Sequence, residues 1–423
     1  MTRVPIPSLG EARFASPHRH PAPEDILIPD LLRWSAGELP ATLQLFEKSG
    51  PRSRIFFDPA KTRAGIVTCG GLCPGLNNVI RSLVLELRHG YGVHEVFGFR
   101  NGYGGLDPDT GEPPLLLTSE VVDDIHRDGG TLLGTSRGPV DVERAAANLV
   151  KLGVNLLFAI GGDGTQRGAN ELFEAARKHG HALAVAGIPK TIDNDVRHVD
   201  RTFGFTTAVA TARDVLDSAH TEAHSVRNGV SVVKLMGRHA GFIAAAATVA
   251  SQDVNFCFVP EVPFALEGEK GFLAALERRL ADRRHAVIVV AEGAGQDLIP
   301  GETGQCDASG NVKLQDIGCF LRDAIAAHFK ARKIEMTMRY FDPSYLIRGV
   351  AANTEDAVLC DRYARHAVHA AMAGKTGMVI GFMNGQFVHI PIALLVGAGR
   401  RLHEAGELWH AVLATTGQPA RFE

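Results

Sequence analysis

Two short segments of the chain place carboxylates among glycines and other polar residues. The first, residues 161–165, reads Gly-Gly-Asp-Gly-Thr, and the glycines on either side leave Asp163 exposed. Near phosphate groups, such a carboxylate is suited to hold Mg²⁺ through water, because magnesium gives up its water ligands reluctantly. A role for Asp163 as a helix cap is the alternative.

The second segment, residues 187–195, reads Gly-Ile-Pro-Lys-Thr-Ile-Asp-Asn-Asp and carries two carboxylates beside a lysine. One carboxylate can accept the proton of a hydroxyl group while that oxygen attacks phosphorus, and the other can orient a metal ion or Lys190. Two neighbouring carboxylates raise each other's pKa unless cations offset the repulsion. An Asx-turn explains one of these residues but not the whole group. Together the two segments predict a phosphoryl-transfer centre.

Further candidates for phosphate binding lie in other turns. Gly70 and Gly71 precede Pro74, so their N–H groups could face an anion at the start of a helix, although a turn without a ligand fits equally well. Arginine binds phosphate oxygens bidentately. Four arginines stand beside glycine or aromatic turns: Arg137, Arg238, Arg339 and Arg348. Glu292 follows an apolar run, where it could hold a sugar hydroxyl or cap a helix.

The elements that must position these residues alternate along the chain. Short β-branched runs lead into helical segments; the predicted strands are 64–68, 154–160, 183–188, 230–235 and 286–291, and the predicted helices are 74–88, 166–178 and 240–250. This alternation predicts mainly parallel sheets covered by helices on both faces. In such sheets ligands bind beyond the carboxyl ends of the strands. We therefore expect an α/β fold of two Rossmann-like domains, divided near residues 203–205, with the site between them.

Composition argues against several classes of protein. A net charge of −3 over 423 residues does not suit a protein that coats nucleic acid. No apolar run reaches the roughly 18 residues that a membrane span needs. Six cysteines without CxxC spacing predict buried, reduced thiols rather than a metal site. We expect a cytoplasmic protein that binds neither nucleic acid nor membranes.

In order and spacing, five of these motifs resemble the phosphofructokinase family from about residue 63 to residue 412. They are the Gly70-Gly71 turn, the 161–165 turn, the 189–195 segment, residues 236–238 and residues 345–348. The similarity is greatest to the subgroup that contains the ATP-dependent trypanosome enzymes. Those enzymes share the long N-terminal extension and a segment similar to residues 341–345 here.

The resemblance implies transfer of the γ-phosphoryl group of MgATP to the 1-hydroxyl of fructose 6-phosphate, a step of glycolysis. Asp193 would be the base with Thr191 beside it, and Arg238 would stabilise the moving phosphoryl group. Asp163 would organise Mg²⁺. The residues implied for the nucleotide are Gly71, Arg137, Gly138, Gly162, Asp163, Gly164 and Thr165. Those implied for the sugar phosphate are Thr191, Ile192, Asp193, Met236, Gly237, Arg238, Glu292, Arg339, Tyr345, Leu346, Ile347 and Arg348.

The same resemblance assigns roles to the predicted domains. Residues 1–60 are an N-terminal extension with a short helical stretch near 30–47, or a partly disordered tail. Residues 61–204, completed by 347–398, form the nucleotide- and Mg-binding domain. Residues 205–346, completed by 399–423, form the sugar-phosphate-binding domain. A homo-oligomer is expected, a tetramer or a dimer, with Arg339 reaching the site of a neighbouring subunit.

Two positions depart from the family pattern. Lys190 is typical of the pyrophosphate-dependent members, but those members carry a second aspartate where this chain has Gly164. A carboxylate there would repel the α-phosphate of ATP, whereas glycine leaves room for it, so we expect ATP as the donor. Many bacterial members have an arginine in place of Gly229, and Arg227 is a candidate substitute.

Three other functions stay open on the sequence. The same transfer could use pyrophosphate as the donor. The 161–165 turn also occurs in NAD and lipid kinases, although those lack the 190–195 and 345–348 segments. The third is a non-catalytic subunit of the same fold, which would have no chemical use for Asp163 and Asp193.

Overall fold

A computed structural model describes residues 1–31, 42–109, 112–136, 138, 140–301, 304, 312–395, 397 and 399–423. Within these ranges the strands are β1 Thr2–Arg3, β2 Phe14–Ala15, β3 Leu27–Pro29, β4 Gln44–Glu47, β5 Arg54–Ile55, β6 Arg63–Thr68, β7 Glu95–Phe99, β8 Leu115–Leu116, β9 Leu156–Gly161, β10 Ala184–Pro189, β11 Gly229–Leu235, β12 Phe256–Phe258, β13 His285–Ala291, β14 Thr337–Phe341, β15 Met378–Met383 and β16 Gln386–Pro391.

The α-helices of the same ranges are α1 Leu76–Leu85, α2 Val142–Lys151, α3 Asp163–Lys178, α4 Phe205–His224, α5 Phe242–Ser251, α6 Phe272–Arg283, α7 Ile317–Ala331, α8 Leu346–Gly349, α9 Thr354–Met372 and α10 Glu407–Thr416. A π-helical turn, Glu86–Tyr91, continues α1. None of the helices within the described ranges is long and apolar enough to cross a membrane.

The chain divides into two compact units. Unit 1 comprises Met1–Ile192, Val196–Gly204 and Arg348–Gly399. Unit 2 comprises Asp193–Asp195, Phe205–Ile347 and Arg400–Glu423. The 189–195 segment therefore contributes its first residues to unit 1 and its two aspartates to unit 2.

Unit 1 is built on a seven-stranded sheet of order β16-β15-β10-β9-β6-β7-β8. The strands from β15 to β7 are parallel, and the two edge strands β16 and β8 are antiparallel to their neighbours. Every residue of β9 and β10 is buried, as expected for strands covered on both faces. Because β10, β9 and β6 are parallel neighbours, the segments that follow them emerge at one edge of the sheet.

Unit 2 is built on a four-stranded parallel sheet of order β12-β13-β11-β14. A cluster of phenylalanines packs beneath it, in which Phe258 stacks on Phe264 with ring centroids 4.1 Å apart. The carboxyl ends of β13, β11 and β14 also share one edge, since Leu235 pairs with Ala291 and Val233 with Phe341.

The N-terminal extension adds two small sheets to unit 1, β1-β4-β3 and β2-β5. The predicted helical stretch near 30–47 is wrong at its end, because Gln44–Glu47 is a strand that pairs with β1 and β3; residues 32–41 lie outside the described residues. Glu47 is buried in this strand, with Arg52 at 2.8 Å, Lys375 at 3.2 Å and His389 at 3.3 Å. Burial raises the pKa of Glu47, but a hydrogen bond from His389 and the charges of Lys375 and Arg52 outweigh it and hold that pKa well below its usual range.

The cysteines behave largely as predicted. The described ones are reduced, and four of them are buried: Cys69, Cys73, Cys257 and Cys360. Burial raises the pKa of Cys69 to about 11, so its thiol stays protonated at neutral pH. Cys319 is partly exposed, and Cys306 lies outside the described residues.

Candidate active site

Three of the predicted segments meet at one edge of the unit 1 sheet. The 161–165 turn follows β9, the Gly70-Gly71 turn follows β6, and Lys190 follows β10. Backbone hydrogen bonds hold the strand ends in register: Cys69 N–H donates to the Ile160 carbonyl over 3.0 Å, and Lys190 N–H to the Gly161 carbonyl over 3.1 Å. The site residues of unit 1 are therefore brought together by strand order rather than by sequence proximity.

The 161–165 turn is the start of α3. Gly162 is the extended N-cap and Asp163 is the first helical residue, so the helix begins three residues before the predicted start at 166. Asp163 is exposed, whereas Thr165 is 7% exposed and its carbonyl accepts from the Tyr103 hydroxyl over 2.5 Å. Free N–H groups and a positive dipole end make such a helix start a site for anions.

Gly164 has open space around it. A Cβ built on this residue would meet no atom within 4 Å among the described residues, and its φ is not in the left-handed region. Gly161 differs, because a Cβ there would lie 2.2 Å from the Thr165 hydroxyl oxygen. Only Gly161 is required for the fold of the turn, so glycine at 164 is not explained by packing.

Lys190 joins two of the turns. Its side chain is 7% exposed, and Nζ donates to the Gly71 carbonyl over 2.6 Å. The two residues are 119 positions apart in the chain. The ammonium charge therefore lies at the glycine turn that follows β6.

Gln166 holds the same edge from beneath and was missed by the sequence reasoning. Its side chain is 2% exposed, and Nε2 lies 3.2 Å from the Ala159 carbonyl, 3.0 Å from that of Gly161 and 3.4 Å from that of Ile188. These carbonyls belong to β9 and β10, so one amide group fixes the ends of both strands. No sequence signal marked it, because a glutamine in a first helical turn has no special pattern.

The 129–138 segment packs on the glycine turn of β6. Thr135 donates its hydroxyl to the Gly70 carbonyl over 2.6 Å, and Gly70 N–H donates to the Ser136 carbonyl over 3.1 Å. Gly138 is exposed with a φ of 130°. These contacts place Thr135 and Ser136 against the glycine turn, while Arg137, the predicted cation of this segment, lies outside the described residues.

The 191–195 turn is held from both of its ends. In unit 1, the Thr202 hydroxyl donates to the Thr191 carbonyl over 2.7 Å, and Ile192 is buried. In unit 2, Arg400 N–H donates to the Asp195 carbonyl over 2.6 Å. Asn194, with a φ of 55°, makes the sharp bend that separates the two aspartates.

A histidine near Asp195 was not anticipated. Burial lowers the pKa of His239, the charges of Arg238 and Arg401 lower it further, and Asp195 opposes the shift. His239 therefore lies within electrostatic reach of Asp195, Arg238 and Arg401, all of them in unit 2. Because its pKa is lowered, it is a neutral imidazole at pH 7 and does not offset the charge of the aspartates.

Residues 236–238 and 292–293 lie side by side at the edge of the unit 2 sheet. Gly237 has a φ of 131°, and a Cβ on Gly293 would lie 1.9 Å from the Arg238 carbonyl oxygen. Both glycines are therefore needed for this close approach. Arg238 Nη1 donates to the Val312 carbonyl over 2.6 Å, and Glu292 N–H donates to the Leu235 carbonyl over 2.9 Å. Met236 is half-buried.

A lysine that the sequence reasoning overlooked connects β11 with the segment after β14. Lys234 Nζ lies 2.8 Å from both Asp316 and Asp342, and its side chain is 13% exposed. Burial raises the pKa of Asp342, but the bonds from Lys234 and Ser344 outweigh it and lower that pKa below its usual value. The turn that leads to Tyr345 is thereby fixed.

The predicted residues of this last segment differ in exposure. Tyr345 and Leu346 are 77% and 63% exposed, whereas Ile347 is fully buried and packs in the core. Arg348, the residue of α8 at which unit 1 resumes, is half-buried, and Arg339 pairs with Glu222 at 3.2 Å. Tyr345 and Leu346 are accessible from solvent, but the side chain of Ile347 is not.

Gly229 explains one departure from the family pattern. A Cβ on this residue would lie 2.1 Å from the Ala223 carbonyl oxygen, so an arginine does not fit here without a local change of backbone. Arg227, the suggested substitute, is exposed two residues earlier.

Parallel sheets with glycine turns and a helix start at their carboxyl edges are typical of α/β proteins that bind phosphate groups. The chain belongs to the phosphofructokinase family, whose sequence pattern matches residues 63–371. The α/β fold is confirmed by a solved structure, the pyrophosphate-dependent phosphofructokinase of Marinobacter aquaeolei. It is 20% identical, with a TM-score of 0.69 over 84% of this chain and 91% of that one.

Two relatives are similar at much higher identity. The ATP-dependent 6-phosphofructokinase of Amycolatopsis methanolica is 48% identical over 99% of this chain and 93% of that protein. The ATP-dependent 6-phosphofructokinase of Trypanosoma cruzi is 47% identical over 90% of this chain and 78% of that protein. The predicted family is confirmed. The chain is about as similar to the bacterial protein as it is to the trypanosome protein.

Proposed function

We propose that the chain is an ATP-dependent 6-phosphofructokinase, which transfers the γ-phosphoryl group of ATP to the 1-hydroxyl of D-fructose 6-phosphate. Relatives 47–48% identical over most of the chain carry this name. The structural observation that carries the proposal is the common edge of β6, β9 and β10. There the Gly70-Gly71 turn, the exposed carboxylate at the start of α3 and a lysine follow these three neighbouring strands.

In the proposed reaction, a bond forms between O1 of the sugar and the γ-phosphorus while the bond to the β–γ bridging oxygen breaks. Asp193 accepts the O1 proton, with Thr191 beside it, and the products are fructose 1,6-bisphosphate and ADP. Arg238 stabilises the negative charge on the moving phosphoryl group. Such transfers depend chiefly on positioning and electrostatic stabilisation.

Asp163 fits a magnesium site, because an exposed carboxylate at a helix start offers the oxygen ligand that this ion prefers. When bound, Mg²⁺ neutralises charge on the β- and γ-phosphates. The N–H groups of residues 162–165 bind phosphate oxygens, and Gly71, Arg137 and Gly138 complete the nucleotide site.

The choice of ATP over pyrophosphate rests on Gly164 and is compatible with Lys190. The open space at Gly164 leaves room for the α-phosphate and the nucleoside beyond it. Lys190 is bonded to the Gly71 carbonyl, so its charge supports a glycine turn and adds attraction for the phosphates of either donor.

The sugar phosphate binds along the edge of unit 2. Met236, Gly237 and Glu292 contact the sugar through the turns after β11 and β13, and Tyr345 and Arg348 bind its phosphate. Ile192, Leu346 and Ile347 shape the site through their backbone or packing. A homo-oligomer in which Arg339 reaches a neighbouring site, and a cytoplasmic location, stay predictions from the family resemblance.

The decisive test is an assay of the purified chain with fructose 6-phosphate and Mg²⁺, giving ATP or pyrophosphate as the only donor. We expect turnover with ATP, and turnover with pyrophosphate alone would refute the choice of donor. Asp193→Ser should lower kcat by about 10²–10⁴-fold while the thermal shift caused by fructose 6-phosphate persists. Asp282→Ser, at an exposed carboxylate of α6, is the matched control. Unchanged kcat in Asp193→Ser would rule out the assigned base.

A further inference from the structure

Three potential metal ligands converge in unit 1, on elements other than the strand ends described above. His18 comes from the N-terminal extension, Glu86 from the π-helical turn that follows α1, and His369 from the last turns of α9. One ligand atom from each lies within 4.8 Å of the other two. His18 Nε2 is 3.2 Å and His369 Nδ1 is 3.9 Å from Glu86 Oε1.

These separations suit a tetrahedral ion. Zinc bonds of about 2.0–2.2 Å to nitrogen and oxygen place the ligand atoms roughly 3.3–3.6 Å apart. The Tyr91 hydroxyl lies 2.9 Å from His369 Nδ1, at hydrogen-bond distance, so a bound ion would replace this contact at Nδ1.

The cluster is buried and short of hydrogen bonds. Glu86 is 3% and His369 is 7% exposed. Within the described residues, Glu86 Oε1 and His18 Nε2 are buried atoms that make no hydrogen bond. A buried polar atom left without a partner costs about 1–3 kcal/mol, and more for a charged group. A cation at the centre of the cluster would satisfy both atoms at once.

The surroundings orient Glu86 toward the histidines. Its second oxygen accepts a hydrogen bond from Arg365, so Oε1 is the oxygen that faces His18 and His369. The carboxylate is thereby fixed by a cation on one side and offers one ligand atom on the other.

We propose that His18, Glu86 and His369 form a binding site for a divalent ion of the zinc class, with Tyr91 beside the open position. Two imidazoles and one carboxylate are a donor set typical of Zn²⁺, whereas Mg²⁺ is bound by oxygen alone. The site would be separate from the magnesium of the reaction. It would tie the N-terminal extension to α1 and α9 of the same unit.

The test uses the full chain, stripped by a chelator, and Co²⁺ as a probe whose visible absorption reports tetrahedral coordination. Zn²⁺ competition then gives the zinc affinity. We expect one tight equivalent per chain and a rise in the unfolding temperature with Zn²⁺. His18→Ala changes a half-buried residue outside helices and strands, and it should weaken binding at least about 100-fold.

A second histidine cluster supplies the control. The rings of His220, His224 and His285 lie with centroids 5.0–5.7 Å apart in unit 2, and could bind Co²⁺ on their own. His224→Ala should keep the tight equivalent. Equal unfolding temperatures of the metal-free variants would show that both fold. Absence of tight Co²⁺ or Zn²⁺ binding, unchanged affinity in His18→Ala, or loss of the equivalent in His224→Ala would each overturn the proposal.

Discussion

Replacing Gly164 with aspartate should lower the activity with ATP without destabilising the fold. A Cβ at this position meets nothing within 4 Å, so the new side chain needs no rearrangement. The position is the second residue of α3, where a negative charge stabilises a helix by about 0.3–1 kcal/mol. The unfolding temperature of Gly164→Asp should therefore be equal to that of the original chain or slightly higher.

The expected loss of kcat/KM for ATP follows from the negative charge of the new carboxylate alone. A carboxylate about 4 Å from a phosphate charge is repelled by about 1 kcal/mol in bulk water and about 4 kcal/mol at the effective dielectric of a protein surface. Because Gly164 is exposed, the true value lies between these limits. Each 1.36 kcal/mol is a factor of ten in rate, so kcat/KM for ATP should fall by about 5- to 1,000-fold.

The assay compares kcat/KM for ATP and for pyrophosphate in Gly164→Asp and in Gly164→Asn. Asparagine has nearly the same shape without the charge, so it should retain most of the activity with ATP. Pyrophosphate has no α-phosphate or nucleoside at that position, and we expect its relative use to rise in the aspartate variant. Two results would refute the reasoning: equal losses in both variants, or an aspartate variant that uses ATP as well as the original chain.

Three further substitutions probe the supporting contacts. Gln166→Met removes the amide beneath β9 and β10 and should lower kcat with ATP by at least about tenfold with little change in secondary structure; circular dichroism and steady-state kinetics check this. Lys234→Met frees the turn that holds Asp342 and should raise KM for the sugar while sparing KM for ATP; an equal rise in both would contradict its role. Glu47→Gln breaks a buried pair with Arg52 and should cost about 3–5 kcal/mol of unfolding free energy at pH 7. Because the pKa of Glu47 is lowered by folding, this stabilisation is present above the usual glutamate pKa of about 4.3 and is lost as pH falls further. Urea unfolding of both proteins at pH 7 and pH 3.5 should show a smaller gap at the lower pH, and a constant gap would contradict the assignment.

Much of the architecture could be predicted because the signals are local. Apolar runs that end in glycine gave the central strands to within two or three residues, and the same glycines marked the turns at their carboxyl ends. The residues between them, Asp163 among them, were recognisable because glycine on both sides leaves a side chain exposed. The short strand Gln44–Glu47 was missed, because its pairing depends on partners elsewhere in the extension.

The contacts that fix the site were not visible in the sequence because they are not local. Nothing in the residues around Lys190 shows that its ammonium group reaches a carbonyl 119 positions away. Gln166 and Lys234 are common residue types in ordinary helical and strand contexts, and only the order of the strands gives them their partners. The sequence likewise does not show that His239 lies within electrostatic reach of Asp195 in the folded unit.

The hydrogen bond from Lys190 to the Gly71 carbonyl joins a side chain to the main chain. Substitution can therefore remove only one of its two partners. Any residue placed at position 71 still offers a carbonyl, so changes there leave the acceptor in place. The donor, by contrast, is a side chain, and a single substitution at position 190 removes it. As related sequences diverge, position 71 can therefore change without loss of this hydrogen bond. Position 190 cannot change without losing it, unless another donor replaces the ammonium group.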